Sequence, residues 1–251
     1  MKIPVPRSAP ALAALALLAL FATGCERFVE RQIERNLLRV EEALLASPDL
    51  QVVLCGTGSP VADRARAGAC TAIVAGGRIV LVDIGPGAWE TLDLANLPTA
   101  AVEAVLLTHF HSDHIGDLGE AMTQGWIAGR PAPLEVLGPP GTARGVAGLS
   151  EAYAADVEAR VAHHGEEWMP SRAAGAVARE FPLPAGGEAG LVLEREGLRV
   201  TAFVVDHEPV APAVGYRFEF GGRAVVVSGD TKRSENVLTH ARGADLLVHE
   251  A

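Results

Sequence analysis

Apolar positions change rhythm twice along the chain. From Ala11 to Ala22 they form an unbroken run, behind Lys2 and Arg7 and ahead of Thr23-Gly24-Cys25. A helix of that length reaches about 18 Å, too short for a ~30 Å hydrocarbon core, so residues 1–24 read as a signal peptide and not as a stable transmembrane helix. Over residues 26–46 the rhythm becomes helical: Val29, Ile33, Leu37, Val40 and Leu44 recur at steps of four and three, with arginine and glutamate between them. Ser47-Pro48 stops this pattern. Residues 25–48 are therefore expected to be an amphipathic helix and linker, packed on the domain that follows or standing as a stalk.

From Leu50 the pattern shortens to β-rich runs punctuated by glycine. Residues 51–55, 71–74, 79–83 and 104–108 are mostly β-branched residues or leucine, and each run ends in a Gly, Asp or His cluster. Buried strands that feed active-site loops have this texture. Gly76-Gly77 marks a hairpin turn. Helices are expected near 86–96, 115–129 and 142–160, with later strands at 134–137, 198–205, 214–220, 224–228 and 245–249. Strands with interleaved helices predict an α/β sandwich over residues 49–251.

Composition narrows the function classes. The 251 residues carry 21 Lys+Arg against 31 Asp+Glu, a formal charge of -10, and 49% hydrophobic residues. That apolar fraction supports a sizeable core and excludes a disordered chain. Lysine occurs only at Lys2 and Lys232, and the arginines are scattered. No basic stripe for a phosphate backbone is visible, and an exported acidic protein is a poor partner for nucleic acid. Cys55 and Cys70 could pair in an oxidising compartment; buried free thiols are the expectation.

Chemistry concentrates in Thr108-His109-Phe110-His111-Ser112-Asp113-His114-Ile115-Gly116-Asp117, directly after the strand at 104–108. Alternate residues His109 and His111 point the same way, while Asp113-His114 turn to a second position. Three imidazoles and a carboxylate on one strand-to-helix loop can converge on metal.

Thr23-Gly24-Cys25 resembles a bacterial lipobox, which implies lipidation of Cys25; Glu26 at the next position then implies passage to the outer membrane. The H-x-H-x-D-H run resembles the metal-binding signature of the metallo-β-lactamase superfamily, and further segments match in the same order. Leu54-Cys55-Gly56-Thr57-Gly58-Ser59-Pro60 looks like its first strand and glycine turn, and Leu81-Val82-Asp83-Ile84-Gly85 like its second. Val204-Val205-Asp206-His207 followed by Val214-Gly215-Tyr216-Arg217 resembles the third-histidine segment, and Val227-Ser228-Gly229-Asp230-Thr231 the bridging-aspartate segment. With Gly138-Pro139-Pro140-Gly141 and Leu247-Val248-His249-Glu250-Ala251, these place the chain near the ribonuclease Z and arylsulfatase branch.

The resemblance implies an αββα sandwich and two Zn²⁺ ions. It assigns His109, His111 and His207 to one, Asp113 and His114 to the other, Asp230 as the bridge, and Asp83 as a second-layer brace of the histidine loop. It also implies that Asp113 handles a proton as well as metal, and that Glu250 is a candidate acid. The family pattern continues past the His-Glu-Ala segment to a final histidine ligand. The chain is therefore expected to be truncated within the second lobe, with its second zinc one ligand short.

The implied function is hydrolysis of a small phosphodiester, aryl sulfate or ester by a hydroxide held between the zinc ions. The alternatives are a lactonase-type ester hydrolase and a non-catalytic, metal-stabilised exported binding protein. The interval between His207 and Asp230 has no room for the arm by which ribonuclease Z grips transfer RNA, so a small-molecule substrate is expected. Other residues rank lower. His163-His164, beside Glu166, Glu167 and Trp168, reads as a solvated loop; His240 reads as surface and His249 as a buried structural histidine. Trp168 or Trp126 could line a pocket, and Arg64 and Arg66 could hold a substrate anion, though surface arginines are commoner.

Overall fold

The structure is a computed structural model and describes residues 43–250. The expected signal peptide, Cys25 and most of the expected amphipathic helix fall outside the described residues. Residues 43–46 are helical, and Leu44 and Leu45 pack against buried apolar residues of the domain.

The first sheet contains β1 (Gln51–Gly56), β2 (Cys70–Ala75), β3 (Arg78–Val82), β4 (Val102–Leu106), β5 (Leu134–Gly138) and β6 (Ala176–Glu180), in that spatial order. The hairpin between β2 and β3 turns on Gly76-Gly77, both at positive φ. Between these strands run α1 (Ala88–Leu94), α2 (Ser112–Ile115), α3 (Leu118–Ile127) and α4 (Thr142–His164). The second sheet has the order β11 (Leu246–Val248), β10 (Arg223–Val227), β9 (Val214–Phe220), β8 (Leu198–Val204) and β7 (Ala189–Arg195), with α5 (Glu235–His240) between β10 and β11.

Alternation along the strands builds the layers, because successive side chains leave opposite faces of a sheet. On β3, Ile79 and Leu81 join the helix-side core with Leu118, Ala121 and Met122 of α3. Val80 and Val82 point the other way and meet Val200, Val214, Tyr216 and Phe218 of the second sheet. On the far side of that sheet Phe203 and Val226 pack with Val237 of α5. The result is helices, sheet, sheet, helix: the sandwich the motifs predicted.

Several local expectations are corrected. Cys55 and Cys70 form a disulfide rather than free thiols, because antiparallel pairing of β1 with β2 brings their Cα atoms to 5.0 Å. Closing a loop of this separation stabilises by about 3 kcal/mol, through the entropy removed from the unfolded chain. The helix expected at 115–129 is two helices, broken at Gly116-Asp117, where the Asp117 carboxylate instead accepts the Trp89 N–H of α1 at 3.1 Å. His163 and His164 are not in a loop: they are the exposed last turn of α4, their rings 4.5 Å apart. His240 is half-buried, stacked on Phe203 with Nε2 3.0 Å from the Gly187 carbonyl oxygen. His249, expected to be buried, is exposed. Trp126 is buried and donates to the Pro170 carbonyl, and Trp168 is exposed, so neither lines the main cavity.

Candidate metal centre

The histidine loop leaves the end of β4 at the seam between the sheets. Asp83, at the end of β3 with φ 58°, turns its carboxylate back beneath that loop. Its Oδ1 accepts the Thr108 N–H at 2.8 Å, and its Oδ2 accepts the Thr108 hydroxyl and the His114 Nδ1 proton, each at 2.7 Å. The second sheet grips the loop from the other side. The Tyr216 hydroxyl donates to the Leu107 carbonyl at 2.5 Å, and Val214 N–H donates to the Thr108 carbonyl at 3.0 Å. Gly229, at φ 62°, sits so close that a Cβ there would lie 2.9 Å from the Thr108 side chain. Thr108 and Tyr216 were both within segments singled out in the sequence. Their bracing roles depend on contacts between strands distant along the chain.

These bonds set which imidazole nitrogens face inward. The Thr108 hydroxyl gives its proton to Asp83, so it accepts from His109 Nδ1 at 3.0 Å, and the His109 Nε2 lone pair is left for the cluster. His114 likewise commits Nδ1 to Asp83 and turns Nε2 toward Asp230 Oδ1 at 3.2 Å and Asp113 Oδ2 at 3.6 Å. His109 Nε2 and His111 Nδ1 lie 3.0 Å apart. The buried Nε2 of His207 has no hydrogen-bond partner and lies 4.0 Å from Asp230 Oδ2. Donor atoms of His109, His111, His207 and Asp230 all fall within 4.8 Å of one another, as do those of Asp113, His114 and Asp230. Asp230 belongs to both sets. Convergent lone pairs and an orphaned imidazole nitrogen fit divalent metal.

Proton affinities in this cluster are strongly split. Burial, followed by the charge of His114, pushes His109 down to about 4. Burial also opposes charge on His114, but its bonds to Asp230 and Asp83 outweigh that and carry it up to about 10. The bond from His114 holds the Asp230 carboxyl below its usual range, against the opposing effect of burial. His114 therefore contributes stability that is fully present below the ordinary value of 6.5 and lost as pH rises toward about 10. His109 costs stability as pH falls from 6.5 toward about 4, because the unfolded chain takes a proton that the folded site refuses. The melting temperature of the metal-free chain should peak near pH 6.5 and fall on both sides; a melting temperature that climbs steadily above that point would contradict this electrostatic description.

The second donor set opens on a cavity of about 990 Å³, whose wall includes Ser59, Arg64, Arg66 and Glu250. Arg64 and Arg66, read from the sequence as surface arginines, are exposed yet border this cavity. Glu250 accepts the Thr231 N–H and so stands beside Asp230.

Residues 78–251 match the Beta-lactamase superfamily domain. The chain belongs to the metallo-β-lactamase superfamily. Ribonuclease Z of Mycobacterium marinum (strain ATCC BAA-535 / M) is 39% identical over 204 residues, which cover 80% of this chain and 70% of that protein. Ribonuclease Z of Mycolicibacterium paratuberculosis (strain ATCC BAA-968 / K-10) is 40% identical over 203 residues, 80% of this chain and 69% of its own. The crystal structure of human tRNase Z, short form, superposes with a TM-score of 0.60 at 20% identity, over 78% of this chain and 76% of that one. The metallo-β-lactamase fold protein YhfI from Bacillus subtilis gives 0.57 at 19%, over 79% and 70%. At those identities the two structures speak to the fold, which matches the expected metallo-β-lactamase sandwich. The ribonuclease Z relatives place this member of the superfamily among hydrolases.

Proposed function

We propose that the chain is a zinc-dependent phosphodiesterase acting on small phosphodiesters. The observation that carries this reading is the Asp230 carboxylate, which is shared by two donor sets and lines the cavity on which the second set opens. In it, His109, His111 and His207 would hold one Zn²⁺, Asp113 and His114 would hold a second, and Asp230 would serve both. A bound pair of divalent cations supplies Lewis acidity, which activates water and offsets charge building on the phosphoryl oxygens. Asp83 fixes the inward nitrogens of His109 and His114, directly for one and through Thr108 for the other. Asp113 takes up a proton from the attacking water. Glu250, which lines the same cavity, is the acid of this reading, assigned to give a proton to the departing alkoxide.

A small substrate is supported by the path from His207 to Asp230. After a short loop it is the hairpin of β9 and β10, turned at Gly221-Gly222, with no length for an RNA-gripping arm. The charge of -10 points the same way. Lipid attachment at Cys25 and a place at the periplasmic face of the outer membrane remain part of the proposal. Radioactive palmitate should label the wild type and spare Cys25→Ser, and equal labelling of both would remove the anchor from it.

The catalytic reading is tested with the zinc-loaded chain on bis(p-nitrophenyl) phosphate, p-nitrophenyl sulfate and p-nitrophenyl acetate. Chelator-sensitive release of nitrophenol from the diester is expected. Cleavage of only the sulfate or acetate would overturn the substrate class, and inertness toward all three would favour a metal-stabilised binding protein.

A further inference from the structure

Cys55 and Cys70 are joined at the point where the register of β1 and β2 slips. Leu54 faces Thr71 and Gly56 faces Cys70, so Cys55 is an extra residue with no partner across the ladder, and the disulfide cross-links the strands where a backbone pair is missing. Beyond it the chain leaves as a loop exposed over residues 59–66 and returns through Ala67, Gly68 and Ala69. The returning segment lies against the chain that follows β3: Gly68 N–H donates to the Pro86 carbonyl and Gly85 N–H to the Ala69 carbonyl, each at 2.9 Å. Both segments then hold α2. Ala69 N–H donates to the Asp113 carbonyl at 3.0 Å, and Ile84 N–H to the His114 carbonyl at 2.8 Å.

These segments are packed backbone to backbone. A Cβ on Gly56 would collide with the Gly68 carbonyl oxygen, and a Cβ on Gly85 with the Asp113 carbonyl oxygen. The path from the disulfide to the second donor set is therefore short: Cys70, its neighbour Ala69, then the Asp113 carbonyl. The two donors of that set on α2 are held differently. Asp83 fixes the His114 ring directly. The Asp113 carboxylate lies 3.6 Å from His114 Nε2 and accepts no hydrogen bond among the described residues, so its aim depends on the backbone that Ala69 holds. The three-histidine set has no such dependence, since His109 is braced through Thr108 and Asp83.

We propose that the Cys55–Cys70 disulfide is a redox-sensitive brace of the second metal site: with the bridge closed the chain holds both metals, and with it open the chain keeps the three-histidine metal and loses affinity for the second. The inference rests on the two-metal reading of the site. The opening step takes two electrons and two protons from a dithiol reductant, which closes its own disulfide as Cys55 and Cys70 become thiols. Both cysteines are buried, so the bridge reacts when the loop opens, and a second metal bound to the closed form opposes that opening by linkage.

The test is zinc titration against a chromophoric chelator, on the full chain carrying Cys25→Ser throughout so that Cys55 and Cys70 are its remaining cysteines. The oxidised protein should bind two zinc ions. Cys55→Ser/Cys70→Ser, which stands for the open form without thiolates that could themselves take metal, should bind the first with unchanged affinity and the second at least about tenfold more weakly. Reducing the oxidised protein with a phosphine and joining its thiols through a methylene group with dibromomethane should restore the second site. Undiminished second-site affinity in the serine pair, an equal loss at both sites, or no recovery on bridging overturns the brace. If the serine pair does not fold by circular dichroism, Cys55→Ala/Cys70→Ala, which keeps this buried position apolar, is read in its place. If the oxidised protein binds fewer than two zinc ions, the two-metal reading fails separately, and amide exchange by NMR decides the brace. Exchange at Ala69 and Ile84 at least about tenfold faster in the variant, with the β8–β9 ladder unchanged, supports it, and equal protection overturns it.

Discussion

Asp230→Ala should reduce phosphodiester hydrolysis roughly a thousandfold or more, about 4 kcal/mol of transition-state stabilisation. Its carboxylate is the one group common to both donor sets, with Oδ1 3.2 Å from His114 Nε2 and Oδ2 4.0 Å from His207 Nε2. No other carboxylate reaches the three-histidine set among the described residues. Alanine therefore removes a donor from each metal and also frees His114 from a partner that holds its proton. The comparison is kcat/KM on bis(p-nitrophenyl) phosphate for wild type and variant at saturating zinc. A loss smaller than about tenfold would mean that one site carries the chemistry unaided and that Asp230 is no bridge.

Asp83→Asn should lower zinc affinity about 10- to 100-fold without touching either metal. The aspartate is an acceptor at both oxygens, receiving the Thr108 N–H, the Thr108 hydroxyl and the His114 Nδ1 proton. An asparagine of the same shape puts an NH₂ against one of these donors. Either His114 changes tautomer and takes its lone pair away from the metal, or the loop moves. The same clash leaves buried donors unsatisfied and should cost roughly 1–3 kcal/mol of stability. Competition against a chromophoric chelator measures the first effect and thermal melting the second. An asparagine variant that binds zinc as tightly as the wild type would show that the brace does not orient the ligands.

The parts of this molecule legible in its sequence are those whose periodicity reports burial directly. Ile79 to Val82 alternate between the helix layer and the second sheet, so a strand is the only element that satisfies both faces. The histidine run was legible because its spacing and its place after a strand carry chemistry without tertiary information. β6 and β7 were missed for the opposite reason. Ala176–Glu180 is largely exposed and poor in β-branched residues, and Ala189–Arg195 includes a glycine and sits at a sheet edge. Their pairing with β5 and β8 decides their conformation, and propensity does not. The short α5 was missed too, being six residues with one buried side chain. The disulfide was misjudged because the separation of Cys55 and Cys70 says nothing of the β1–β2 register that brings them together. In the site, the donor residues could be named from motifs, but the tautomers that make His109 and His114 useful depend on Asp83 and Thr108 meeting beneath the loop.

The central claim is that His109, His111, His207 and Asp230 form a metal site joined through Asp230 to a second one. Its most direct test is the zinc content of purified protein by elemental analysis after dialysis against metal-free buffer. The wild type should retain at least about one zinc per chain, and His111→Ala should lose most of it while staying folded by circular dichroism. Zinc content that is negligible in the wild type, or unchanged in His111→Ala, would contradict the assignment of these residues as ligands.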